Sequence, residues 1–239
     1  MNFKYTKVLL SVGTLGLTLC AVPAQAQELF ATFTQAFQTP AFTYSSTSSG
    51  ATLGLASAIP VSFQFQTING LGAAIGEDIE ATMTMSAVSA SNAFSSTSFL
   101  VQPMKDIELR FTSTSAAPDS GDLLRVSLTT GNLVARVGGQ TARLTGTESS
   151  TSNNIVTFDS DYLDFSQPLV NKNFAISFTS IAPDIANGGN GYLAPFTTTA
   201  TGNFGSDPLP PPKNNIPEPA TLVLAALGGL ALARRRKAT

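Results

Sequence analysis

The sequence predicts an all-β fold, an antiparallel β-sandwich or jelly roll, on three observations. Apolar residues recur at every second position through much of the chain. No window of about 12 residues between the two ends carries an amphipathic helix pattern. Ser, Thr, Gly and Asn punctuate the alternating runs. Period 2 sends successive side chains to opposite faces, so each run has one face to bury.

Taken in order, the first strand covers 29–37. In the second, Ile59, Val61, Phe63 and Phe65 alternate with Pro60, Ser62, Gln64 and Gln66. In the third, Ile79, Ala81, Met83, Met85 and Ala87 alternate with Glu80, Thr82, Thr84 and Ser86. Ile107, Leu109 and Phe111 mark a fourth. The runs Leu124, Val126, Leu128 and Leu133, Ala135, Val137 read as a hairpin, with Thr130-Gly131-Asn132 as its turn and Arg125 and Arg136 facing outward. Val156 and Phe158 begin another strand, and Phe174, Ile176 and Phe178 form a further one. About nine to eleven such strands fit two packed sheets in one domain over residues 27–206.

Composition narrows the chemistry. The 239 residues include no His, no Trp and one Cys, and charged residues make up 12%, against about 25% in an ordinary soluble domain. Without His, Ser/His/Asp and Cys/His nucleophile sites are excluded. Cys20 alone supports neither a thiolate zinc site nor an internal disulfide. S-x-x-K, G-x-S-x-G and Walker patterns are absent from the sequence, so it names no catalytic residue, no cofactor and no enzyme activity.

The ends carry addresses. Lys4 and Lys7 precede an apolar stretch over 8–22, followed by Ala24-Gln25-Ala26, the layout of a secretory signal peptide spanning 1–26. Small residues Ala24 and Ala26 flank the expected signal peptidase cut before Gln27. Residues 207–216 are Pro-rich and read either as an extended spacer or as a disordered joint with no spacing role. Beyond them, Pro217-Glu218-Pro219 leads into an apolar stretch over 220–233 and then Arg234-Arg235-Arg236-Lys237. At about 1.5 Å per residue this helix is roughly 21 Å long, short of a hydrocarbon core near 30 Å. A basic cluster can hold it on the cytoplasmic side, but it makes a poor permanent anchor.

Pro217, Glu218 and Pro219, the apolar helix, and Arg234, Arg235 and Arg236 in that order resemble the PEP-CTERM sorting tail of bacteria with exosortase systems. The resemblance is confined to 216–239. It implies export across the inner membrane, transient anchoring by the C-terminal helix, recognition and cleavage by an exosortase, and delivery to the cell surface or an exopolysaccharide matrix. In that transaction this chain is the substrate.

Processing changes the electrostatics. Loss of both ends removes six of the 13 basic residues and one of the 15 acids, moving the net charge from −2 to −7. An acidic domain of this kind does not suit nucleic acid, and the membrane enters only through the tail. Seven acids, Glu77, Asp78, Glu80, Glu108, Asp159, Asp161 and Asp164, are raw material for a glycosidase-type carboxylate pair. Such sites usually add aromatic platforms, and the domain offers Tyr44, Tyr162 and Tyr192 without Trp. Asp159, Asp161 and Asp164 form a weak calcium candidate. Leu163 stands where an EF-hand loop needs an oxygen ligand, and Asp164 where it needs Gly. Residues 29–76 contain no Lys, Arg, Asp or Glu, which raises the expectation that an unguarded N-terminal strand edge pairs with another copy, set against the expectation that these strands are central and covered.

Together these features read as an exported, non-catalytic cell-surface or extracellular-matrix protein. The alternative is an exopolysaccharide-binding, lectin-like module with Tyr162 and Tyr192 as glycan contacts. A carboxylate glycosidase is the third reading.

Overall fold

The computed structural model describes residues 28–66, 77–115, 121–148, 154–207 and 209–213. The expected signal peptide with Ala24 and Ala26, and the sorting tail with its hydrophobic helix, lie outside these residues. Among the described residues there is no helix. Twelve strands among the described residues run antiparallel. They are β1 (Glu28–Gln35), β2 (Phe42–Thr47), β3 (Gly50–Leu55), β4 (Ile59–Phe65), β5 (Ile79–Ser89) and β6 (Phe94–Ser96). The second half supplies β7 (Phe99–Ser113), β8 (Asp122–Arg136), β9 (Ala142–Thr147), β10 (Val156–Asp159), β11 (Val170–Ala182) and β12 (Phe196–Asp207).

All twelve belong to one sheet. β1 and β2 lie end to end along β12, through Thr34↔Thr201 and Phe42↔Thr198. β4 and β3 pair with them and also, end to end, with β5. The wall continues through β7, β8, β9 and β11 back to β12. Counting β1/β2 and β3/β4 as one wall strand each gives eight, a closed up-and-down barrel. This corrects the expected sandwich or jelly roll. Two packed sheets would leave edges, whereas the β1–β12 ladder from Glu28↔Ser206 to Thr34↔Thr201 joins the first strand to the last. Eight strands leave an interior just wide enough for side chains to fill it.

Phenylalanine fills it. Phe33 packs on Phe111 with ring centroids 5.0 Å apart, Phe63 lies 5.1 Å from Phe111, and Phe30 lies 5.0 Å from Phe158. Each buried Phe contributes about 1.5–3 kcal/mol of burial, and each good aromatic pair about 0.5–1.5 kcal/mol more. Towards the other end, Tyr44 stacks on Phe196 at 5.1 Å and donates its hydroxyl to Gln102 Oε1 at 3.1 Å. Gln102 is fully buried and donates in turn to the Ser91 carbonyl at 2.7 Å. Burial pushes the Tyr44 phenol well above its ordinary pKa.

Residues 122–136 form one continuous strand, not the expected hairpin. Thr130, Gly131 and Asn132 pair with Lys105, Met104 and Pro103 in mid-ladder. Gly131 faces inward, and a Cβ there would lie 2.7 Å from Ile107 Cδ1 and 2.9 Å from the Thr145 carbonyl oxygen. The glycine answers to close packing, not to a turn. The Pro-rich stretch differs too. Residues 209–213 lie against 160–164, with a bridge between Leu163 and Pro212, Asp164 N–H donating to the Pro211 carbonyl at 2.7 Å and Lys213 N–H to the Tyr162 carbonyl at 2.8 Å. Lys213 Nζ donates to the Ser160 carbonyl at 2.5 Å. Leu209 packs on the core, so this stretch is part of the body and not of a spacer.

Ring closure also decides the edge question for the charge-free half. Each of β1 to β5 has a strand partner on both sides, so its lack of guarding charge exposes no edge. The strands paired on one side only, among the described residues, are β6 and β10.

Candidate functional site

An open cleft of about 570 Å³ lies on the outer wall over β5, β7, β8 and β10. Strand register builds it from two rows of outward residues. Thr84, Arg110, Arg125 and Asp159 are successive cross-strand partners in one row, and Ser86, Glu108, Ser127 and Thr157 in the next. All eight are exposed. Neighbours within a row sit about 4.8 Å apart and the rows about 7 Å apart, from strand spacing and two residues of rise. Bulges bend a strand and steepen its twist. Register shifts at Ser86/Val88 and Phe111/Thr112 bracket the cleft.

Arg110 and Arg125 face each other directly across the β7–β8 ladder, an arrangement that would be repulsive on its own. Asp122 resolves it. One carboxylate oxygen accepts from Arg110 Nε at 2.7 Å and from Thr112 Oγ1 at 2.9 Å, and the other is held by the Arg125 guanidinium. The Asp122 side chain is only 4% exposed, whereas the two arginines are about half exposed at 54% and 51%. Burial works against the Asp122 carboxylate, but hydrogen bonds from Arg110, Thr112 and Arg125 outweigh it and hold its pKa below the usual carboxylate range. The same hydrogen bond raises the pKa of Arg110. Arg110 and Asp122 are thus fixed in their charged forms. Among the described residues Arg110 spends only its Nε–H on Asp122, while Arg125 also approaches Asp159 at 3.8 Å.

The calcium candidates do not converge. Asp159 faces Arg125, Asp161 accepts the Asp122 N–H at 2.7 Å, and Asp164 accepts the Ser166 N–H at 2.9 Å, which lowers its pKa. Among the described residues no three of His, Cys, Asp and Glu gather closely enough to hold a metal ion. The tyrosines do not present open faces. Tyr192 is buried beneath a loop whose Asn190 side chain donates to the Thr47 carbonyl at 3.0 Å, and Tyr162 is half-buried with its ring 5.9 Å from that of Phe65. Of the candidate acids, Glu108 and Asp159 come to the cleft, while Asp78 is engaged elsewhere by Ser62 and Gln64. Asp122 and Arg110 were not among the sequence candidates. Their one signal is position, Arg110 on an outward site of an alternating run, and it becomes meaningful only with the register known.

The fold and this cleft define the described part of the chain as an antiparallel β-barrel domain with a filled core and a polar outer groove. Beyond it, residues 215–237 match the family model of the PEP-CTERM protein-sorting motif. That motif implies an exported protein sorted by an exosortase, with transient anchoring in the membrane through the tail. No curated protein and no solved structure matched the chain.

Proposed function

We propose that this chain is an exported, non-catalytic protein of the cell surface or extracellular matrix, whose barrel is the delivered product and whose tail is the delivery signal. The sorting-motif match at 215–237 carries the reading. The signal peptide layout over 1–26 supports export, with signal peptidase acting first and exosortase second. The absence of His from the whole chain, and the commitment of Asp122, Asp159 and Asp161 to Arg110, Arg125 and a backbone N–H, support a non-catalytic barrel.

Intact-mass spectrometry of the exported protein tests it, in a host with its exosortase and in an exosortase deletion. The expected product begins at Gln27 and ends near Pro217 to Pro219 in the first host and retains the tail in the second. Substituting Glu218→Ala should also retain the tail. A product running through Thr239 in the exosortase host would refute processing. A second reading, an exopolysaccharide-binding module, is favoured by the polar cleft over β5, β7, β8 and β10.

A further inference from the structure

The geometry points to the outer cleft as the binding site for a neutral, hydroxyl-rich polysaccharide strand. The inference rests on the surface-protein reading only for where such a polymer would be met. The cleft is open along the wall, so it suits a chain passing across it more than a small ligand that must be enclosed.

Its exposed groups are a mixture of donors and acceptors. Arg110 and Arg125 donate, Glu108 and Asp159 accept, and Thr84 and Ser127 do both. A sugar hydroxyl is likewise donor and acceptor at once, so such an array meets it from either side. Charge argues against the other polymers. The two surface arginines are balanced by Glu108 and Asp159, with Asp122 beneath, so the cleft lacks the positive excess that phosphate backbones or anionic lipids require. A protein partner would be met by an exposed apolar centre, whereas neither row contains an apolar side chain and Met85, Leu109 and Val126, which line the floor between the rows, are almost wholly buried.

The array is also set before binding. Asp122, almost wholly buried, grips both guanidiniums and reduces the side-chain freedom that binding would otherwise have to remove. Among the described residues this leaves Arg110 with its Nε–H on Asp122 and its terminal nitrogens for a ligand.

Affinity electrophoresis of the full chain in nonionic detergent, through native gels containing dextran, galactomannan or alginate, tests the site. The expected result is retardation by dextran or galactomannan, weakened at least tenfold by Ser127→Trp, which fills the cleft, and several-fold by Glu108→Ala. Ser177→Trp, at an exposed position on β11, is the matched control and should migrate like the wild type. No retardation by either neutral polymer, retardation by alginate alone, or equal loss in Ser127→Trp and Ser177→Trp would overturn the assignment. These outcomes are independent of the mass spectrum that tests sorting, so failure of one reading is distinguishable from failure of the other.

Discussion

Gly202 lies on the inward face of β12, between Phe33 of β1 and Ile176 of β11. A Cβ added there would stand 2.4 Å from Phe33 Cε1, 3.1 Å from Phe33 Cδ1 and 3.0 Å from the Ala175 carbonyl oxygen. Carbon atoms in contact prefer about 3.5–4.0 Å, so the ring must move by about 1 Å. It has little room to do so. Phe33 is held by Phe111 at 5.0 Å and Phe204 at 6.2 Å, both fully buried. Overpacking of this kind costs about 1–3 kcal/mol, while replacing a mid-strand glycine by alanine returns about 0.5–1 kcal/mol of chain entropy. The net expectation for Gly202→Ala is a loss of about 1–2 kcal/mol, a fall in Tm of about 2–8 °C for a domain of this size. Gly50→Ala is the control, because its Cβ would meet only Ser89 Oγ at an ordinary 3.5 Å. Thermal melts by circular dichroism on both variants, and on Gly202→Ala combined with Phe33→Leu, measure the clash. The double variant should lose less than the sum of the two singles, by about 1 kcal/mol. A Gly202→Ala melt at or above that of Gly50→Ala would refute the packed-interior argument.

The acid limb of stability reports on Asp122. Its native pKa is lowered, so its contribution is complete above the unfolded carboxylate value near 3.9 and is lost as pH falls through the lower native value. Asp122→Asn should cost about 1–3 kcal/mol at neutral pH, and urea melts should show this gap to wild type narrowing below about pH 4. A gap independent of pH would exclude the charged clamp. The docked stretch 209–213 makes a separate prediction. The amides of Asp164 and Lys213 should be protected in hydrogen exchange, and Lys213→Ala, which removes the bond to the Ser160 carbonyl, should lower protection at Asp164 about tenfold, equivalent to about 1.4 kcal/mol of local opening. Unchanged exchange at Asp164 would show that the Lys213 side chain does not hold this strap.

The sequence by itself determined the strand class, because period 2 is local. Ile79, Met83 and Ala87 bury one face whatever strand lies beside them. It also determined the sorting tail, whose three elements sit together within 216–239, and by composition it ruled out His chemistry, a thiolate zinc site and an internal disulfide. Tertiary structure decided the rest, because partner and register are properties of pairs distant in the chain. β12 escapes the alternation test since, of its inward positions Thr198, Ala200, Gly202, Phe204 and Ser206, only Phe204 is large and apolar, and Gly202 is bare where the Phe33 ring of β1 packs. Thr130-Gly131-Asn132 has the composition of a turn, yet it continues the β7–β8 ladder, and glycine stands there because a side chain would collide with Ile107 and Thr145. Only closure of Glu28 onto Ser206 made the barrel and covered the uncharged strands. Only the alignment of Arg110 with Arg125 across a ladder, with Asp122 beneath them, turned scattered polar residues into a preorganised cleft.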